Sequence, residues 1–237
     1  MEGLVFLVGV IGNVISVLMF LSPGKTFLRI VKNKSTEEFE SLPYICTLLN
    51  SSLWTYYGVM KPGSYLVATV NGFGVVVEII YIALFLSFAP PPKRVKTALL
   101  FGILDVGFLA ATISATYFLL ERDGRIDAIG LMSSGLNVIM YASPLSAMKT
   151  VVTTKSVEYM PFLLSFFFFL NGGIWTFYAV LVRDWFLGVP NAIGFMLGTL
   201  QLMLYGIYKF SKSSNHLPAD FKERWQKEPL LPLSVQC

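Results

Sequence analysis

Seven apolar runs dominate this chain, at 4–22, 43–60, 66–88, 97–119, 128–147, 161–182 and 188–209. The hydrocarbon core of a bilayer is ~30 Å thick, so a helix rising 1.5 Å per residue needs ~20 mostly apolar residues to cross it. Hydrocarbon offers no partner to a free N–H or C=O, so each run must be helical even where Gly or Pro interrupts it. Composition agrees. Only 14% of the residues are charged and 55% are hydrophobic, against ~25% charged in a soluble domain. The N-terminus, "MEGLVFLVGV", lacks a basic n-region and a clear cleavage site, so it reads as the start of the first span and not as a removed signal.

The basic residues sort by side. Lys25, Arg29, Lys32 and Lys34 follow the first span, Lys93, Arg94 and Lys96 the third, and Lys149 and Lys155 the fifth; Lys209, Lys212, Lys222, Arg224 and Lys227 follow the seventh. The opposite side carries Lys61, Arg122, Arg125 and Arg183. Fourteen against four places the C-terminus in the cytosol and the N-terminus on the lumenal or extracellular side. The sequons Asn33-Lys34-Ser35 (cytosolic loop) and Asn50-Ser51-Ser52 (inside a span) are then expected to stay unglycosylated. In such a chain a net charge of +4 speaks to orientation and not to a nucleic-acid partner. Cys46 and Cys237 make no disulfide framework. With His216 alone in the polar tail, the chain has no ligand set for an all-protein zinc site, and no cofactor is expected.

The chain also repeats itself. "SPGKTFLRIVKNKS" at 22–35 returns as "SPLSAMKTVVTTKS" at 143–156, five of fourteen positions identical, at an offset of 121. The same offset takes Ser16 to Asn137, Met19 to Met140, Asn50 to Asn171, Trp54 to Trp175 and Tyr57 to Tyr178; after a one-residue deletion Asn71 meets Asn191 and Gly74 meets Gly194. Spans one to three thus recur as spans five to seven, and span four is a linker. A three-helix unit ends on the side opposite its start, and one more helix carries the chain back. The second unit therefore enters with the same orientation as the first. The expected organisation is a first three-helix repeat at 1–89, linker helix and loops at 90–127, a second repeat at 128–210 and a disordered cytosolic tail at 211–237. The fold class is an all-α membrane protein of seven transmembrane helices, two parallel three-helix bundles joined by an inversion linker helix.

Polar and aromatic residues persist across the copies where apolar ones have drifted. Asn50 and Trp54 are four apart and share a helix face, as do Asn171 and Trp175. An amide both donates and accepts, so it matches a hydroxyl in either direction. An indole gives a broad apolar plate with one N–H. Such residues can form a slot for a small neutral polyol. Asn71 and Asn191 lie inside spans, where an unpaired buried polar group costs ~1–3 kcal/mol. Each is either an interhelical hydrogen bond or part of a wet cavity. Ser16, Met19 and Pro23 are matched in spacing by Asn137, Met140 and Pro144; the methionines either line that cavity or fill packing gaps. Pro23, Pro43, Pro144 and Pro161 sit at span ends, as helix stops or as bends. Pro43 is 11 residues before Trp54 but Pro161 is 14 before Trp175, so that pair is not symmetric by sequence. Tyr57 and Asp184 are an interfacial tyrosine and a loop carboxylate, or a pair. Glu78 and Asp105 are carboxyls inside spans, functional candidates by default.

"GVIGNVISVLMFLSP", "STEEFESLPYICTLLNSSLWTYYG", "TVNGFG", "MYASPLSAMKTVVTTKSVEYMPF" and "VPNAIGFMLGTLQLMLYGIY" resemble the SWEET family of sugar transporters over roughly residues 5 to 210. Parallel repeats about an axis along the membrane normal are the arrangement known for that family. Within it the chain looks most like the plant vacuolar-membrane branch, associated with fructose and glucose. The resemblance implies a facilitative hexose carrier without ion coupling, whose partners are a sugar, membrane lipid and other copies of itself as a homo-oligomer. It implies that Asn71, Asn191 and the Trp–Asn pairs contact substrate, with Ser16, Met19, Asn137 and Met140 beside them. Sucrose carriers tend to be smaller at the Met19 and Met140 positions, so methionine there favours a monosaccharide. It further implies that the four prolines bend as the halves rock, that Tyr57 and Asp184 close the non-cytosolic side, and that Glu78 is a packing or interfacial charge. The rivals are a proton-coupled carrier of the related PQ-loop group using Glu78 or Asp105, and a seven-helix receptor, against which the parallel repeat argues. An enzyme is the poorest reading, because no nucleophile–base arrangement is present. "EPLLPL" in the tail is a weak match to a sorting signal.

Overall fold

The computed structural model describes residues 2–215. Within them the chain is helical with no strand. α1 (Glu2–Leu21) is followed by α2 (Gly24–Asn33), α3 (Leu42–Met60) and α4 (Tyr65–Phe88). The linker comprises α5 (Pro91–Leu100), a π-helical segment (Phe101–Phe108) and α6 (Leu109–Leu119). α7 (Arg122–Met140), α8 (Ala142–Thr154), α9 (Phe162–Val182) and α10 (Trp185–Asn215) complete the chain, with a short 3-10 turn at Val157–Tyr159. Six of these helical stretches are long and apolar enough to cross a membrane by length and composition. The seventh span, α3, is 19 residues long but carries Thr47, Asn50, Ser51, Ser52 and Thr55. Large apolar side chains such as Phe6, Leu7, Val14, Leu131, Ile139 and Val180 cover the outer faces. A soluble protein hides such surface; this one presents it to lipid.

Two expectations about local structure change. The basic segments after the first and fifth spans are helices, not loops: Glu2–Asn33 and Arg122–Thr154 each run as one helical stretch through a proline. Proline removes one N–H from the ladder without forbidding helical φ. Pro23 keeps φ −70 and ψ −8, Ser22 N–H turns back to Met19 O at 3.1 Å, and Phe27 N–H reaches Pro23 O at 3.1 Å. Pro23 and Pro144 therefore sit at flexure points inside long helices, whereas Pro43 lies in the first turn of α3 and Pro161 caps α9. The second difference concerns limits. α7 begins at Arg122, ahead of residue 128, and α10 continues to Asn215, past residue 211 where the tail was expected to start. The rest of that tail, with His216, "EPLLPL" and Cys237, lies outside the described residues.

Packing obeys the repeat. In the first unit α4 packs on both α1 and α3; in the second α10 packs on both α7 and α9. Between units α1 meets α9 and α3 meets α7, while the linker lies along α3. Exchanging the units reproduces each contact within and between them, the linker apart, which is what a twofold axis between them requires. The axis is parallel to the helices: the C-terminal ends of α3 and α9 meet, because Tyr57 Oη donates to both oxygens of Asp184 at 2.9 Å. Small residues permit the close approach within each unit. A Cβ on Gly172 of α9 would stand 2.6 Å from Phe195 N of α10, and one on Gly58 of α3 would stand 2.6 Å from Ala68 N of α4.

Candidate functional site

A cavity of about 420 Å³ lies between the units, towards the lower end of small-molecule pockets at ~300–1,000 Å³. All ten residues expected at substrate line it: Ser16, Met19, Asn50, Trp54 and Asn71 from the first unit, Asn137, Met140, Asn171, Trp175 and Asn191 from the second. Pro23, Pro43 and Pro144 line its one end, and Pro161 lies outside its wall. The other end is sealed by a buried cluster that includes Trp54, Tyr57, Leu66, Ile129, Trp175 and Tyr178. The cavity is thus open towards the proline end and shut towards Tyr57.

The two indoles form the sealed roof. Trp54 meets Tyr57 edge-on with ring centroids 5.2 Å apart, and Trp175 meets Tyr178 in the same way at 5.3 Å. Gly12 of α1 seats one indole: a Cβ there would stand 3.1 Å from Trp175 Cε2. The paired amides flank the space below. Asn71 Nδ2 donates to Val67 O and Asn191 Nδ2 to Leu187 O, each at 2.8 Å and each one turn back on its own helix. One N–H of each amide is therefore fixed, which orients the side chain and leaves a second N–H for a solute. The alternative of an interhelical bond between these amides and neighbouring helices is not what the geometry adopts.

The remaining polar wall is not symmetric. On the α1–α9 side, Ser16 Oγ donates to Asn171 Oδ1 at 2.6 Å and accepts from Trp175 Nε1 at 2.9 Å. The repeat equivalents on the α7–α3 side are Asn137, Asn50 and Trp54, and there Asn50 Oδ1 is buried without a partner. Ser16 and Asn137 are aligned but unlike, and that difference leaves one half of the wall bonded across the units and the other half without such a bond.

At the closed end Tyr57 and Asp184 are joined by a third residue that sequence reasoning assigned only to charge distribution. Lys61 Nζ lies 2.7 Å from Asp184 Oδ2 and 2.8 Å from Tyr57 Oη. The Asp184 side chain is 1% exposed, so its carboxylate is shielded from bulk water, while Lys61 reaches it from a partly exposed position. Asp184 Oδ1 also accepts from Leu187 N–H at 3.1 Å and so caps the start of α10. Lys61 follows α3 by one residue; its spacing of four from Tyr57 was the available signal.

Other wall residues escaped the sequence because the repeat replaces one type by another. Phe20 and Tyr141 are 121 apart and both line the cavity below the amides. Phe20 covers Gly74, and Tyr141 covers Gly194, where a Cβ would stand 2.9 Å from its hydroxyl. Asn13 Nδ2 donates to Leu66 O at 3.0 Å, and its equivalent Ser134 donates to Phe186 O at 2.5 Å. Phe186 O is the carbonyl that Pro190, four residues on, cannot bond; Ser134 supplies the missing donor. Glu78 is not an interfacial charge: it is 3% exposed and forms part of the cavity wall. Asp105 lies in the π segment, buried, with neither oxygen bonded.

At the proline end the first unit is clamped to its linker. Arg29 binds Glu37 through Nε at 3.0 Å and a second nitrogen at 2.5 Å, and Asn33 adds a bond at 2.7 Å. The hydrogen bond from Arg29, with that from Asn33, holds the Glu37 carboxyl below the usual range. Lys93 Nζ caps Glu37 O and Phe39 O at 2.9 and 3.1 Å.

Two like-oriented three-helix units enclosing a polar and aromatic cavity at their boundary define a membrane carrier for a small solute. A family model described as a sugar efflux transporter for intercellular exchange matches residues 6–93 and 127–213, one match per unit. The bidirectional sugar transporter SWEET17 of Arabidopsis thaliana is 63% identical over 208 residues, 87% of this chain and 86% of that protein. SWEET16 of the same plant is 56% identical over 210 residues, 88% and 91% of the two chains. A solved structure of a eukaryotic SWEET transporter superposes with a TM-score of 0.82 at 40% identity, covering 86% of this chain and 96% of that one. The chain belongs to the SWEET family of sugar transporters and is a multi-pass membrane protein.

Proposed function

We propose that this chain is a facilitative, bidirectional hexose carrier working by alternating access. The observation that carries the reading is the convergence of Asn71, Asn191, Trp54 and Trp175 on one cavity between the units. Each amide has one N–H fixed to its own helix and offers the rest to a hydroxyl; each indole offers a face to sugar C–H groups. Met19 and Met140 narrow the slot from both units, which favours a monosaccharide, glucose or fructose. A carrier must release what it binds, so affinity is low; a Kd near 1 mM corresponds to about −4 kcal/mol. The work is transport and not catalysis.

The functional division follows the repeat: 1–89 and 128–210 rock about the central site, with 90–127 as the strap between them. Tyr57, Asp184 and Lys61 close one side while Pro23, Pro43, Pro144 and Pro161 give the bends at the other. The excess of basic residues supports an orientation with the proline end and the C-terminus in the cytosol and the N-terminus on the far side. The likeness to the plant vacuolar-membrane branch supports residence in the vacuolar membrane, where the chain works as a homo-oligomer. The test is uptake by vesicles holding the purified protein. Labelled glucose and fructose should equilibrate without any ion gradient and exchange in both directions; no flux of either sugar would reject the reading.

A further inference from the structure

Pro190 lies inside α10, immediately before the cavity amide Asn191. A proline leaves the carbonyl four residues back without its ladder donor and weakens the helix there. α7 repairs the break from across the unit. Ser134 Oγ donates to Phe186 O at 2.5 Å, and Tyr141 Oη, at the joint between α7 and α8, donates to Pro190 O at 2.6 Å. Between these two bonds Asn191 Nδ2 donates to Leu187 O at 2.8 Å. Gly194, whose N–H is the ladder partner of Pro190 O, makes room for the tyrosine: a Cβ there would stand 2.9 Å from its hydroxyl. The first unit lacks this arrangement. Val70 stands where the repeat has Pro190, so α4 loses no ladder donor at that point, and Phe20 stands where the repeat has Tyr141 and carries no hydroxyl. Asn71 makes the matching bond to its own helix, to Val67 O at 2.8 Å, without any such pin.

We propose that Tyr141 is a positioning residue for sugar transport: its hydroxyl, through the Pro190 carbonyl, sets where Asn191 stands in the cavity. The Pro190 carbonyl belongs to the peptide unit that joins Pro190 to Asn191. A bond to that oxygen therefore fixes the backbone from which the amide projects. Where proline has relaxed the ladder, the bend of the helix is set by what bonds and packs against it, and here one hydroxyl does so next to the amide. Losing that hydroxyl shifts Asn191 and leaves Asn71 in place. The proposal rests on the sugar-carrier reading, and it adds to that reading a pin that only the second unit has.

The test measures glucose uptake over a range of sugar concentrations in vesicles holding the whole protein. Tyr141→Phe keeps the ring over Gly194 and removes only the hydroxyl. It should raise the KM for glucose about fivefold, the effect of one neutral hydrogen bond, with the maximal rate within about twofold of wild type. In an Asn191→Ala background the same substitution should change KM by less than about twofold, whereas in an Asn71→Ala background it should still raise KM about fivefold. An unchanged KM in Tyr141→Phe overturns the proposal, including the case in which only the unfolding temperature falls and the hydroxyl serves the fold alone. A full rise on top of Asn191→Ala also overturns it, because the hydroxyl then acts on the sugar without that amide. A wild type that moves no glucose removes the carrier reading and this pin together, whereas glucose flux with a wild-type KM in Tyr141→Phe removes the pin alone.

Discussion

Trp175 donates its indole N–H to Ser16 Oγ at 2.9 Å, and this bond crosses from the second repeat to the first. Ser16 in turn donates to Asn171 at 2.6 Å, so one hydroxyl ties a roof residue and a wall residue of one unit to the helix of the other. The bonds belong to the state that is closed at the Tyr57 end. On the alternating-access reading proposed above, they would be broken and remade as the units rock.

Ser16→Ala strands the Trp175 N–H and Asn171 Oδ1 in a buried place. The expected cost is about 1–3 kcal/mol, read as a lower unfolding temperature of the detergent-solubilised protein. Asn137→Ala, at the equivalent position without such bonds, should cost less. Equal losses in the two variants would contradict the asymmetry described for the wall.

Asp184→Asn weakens the closed end, because Lys61 and Tyr57 both converge on that carboxylate. In a background with Cys46 and Cys237 replaced by Ser, a cysteine at Leu187 should react faster from the Tyr57 side when Asp184 is Asn. Rates should rise by about tenfold, the effect of losing one charged hydrogen bond. An unchanged rate would mean that the aromatic cluster alone holds that end shut.

Much of this was legible from the amino acids. Apolar length fixed the spans, and the offset of 121 paired Asn with Asn and Trp with Trp because both copies need the same chemistry at the same depth. Phe20 and Tyr141 leave no mark in the repeat because they share shape and not identity, though both seat an aromatic ring on a glycine. The helices after Pro23 and Pro144 are hard to see in the sequence because proline and a run of charge look like a stop. A proline costs one ladder bond, and the neighbouring donors closed the gap. The π segment around Asp105 has no periodic signature. Lys61 was counted as a surface charge, since its partner Asp184 is 123 residues away in sequence.

The clamp at the proline end carries its own pH signature. Glu37 is held below its usual range by Arg29 and Asn33. A lowered folded-state value means that the contribution is complete above the ordinary glutamate value of about 4.3 and is lost as pH falls through the lowered one. Hydrogen exchange of amides 34–41, corrected for intrinsic rate, should therefore be flat from neutral pH to about 5 and rise only below about 4. Loosening between pH 7 and 5.5 would contradict the Arg29–Glu37 pairing as the cause.

The central claim is that one solute is held between the two units by equivalent amides. Uptake of labelled glucose into vesicles by Asn71→Ala and by Asn191→Ala tests it most directly, with protein content and unfolding temperature matched to wild type. Each single variant should lose at least about tenfold in rate, since both amides face the same molecule and either loss leaves hydroxyls unmatched. Wild-type rates in both variants would contradict the account.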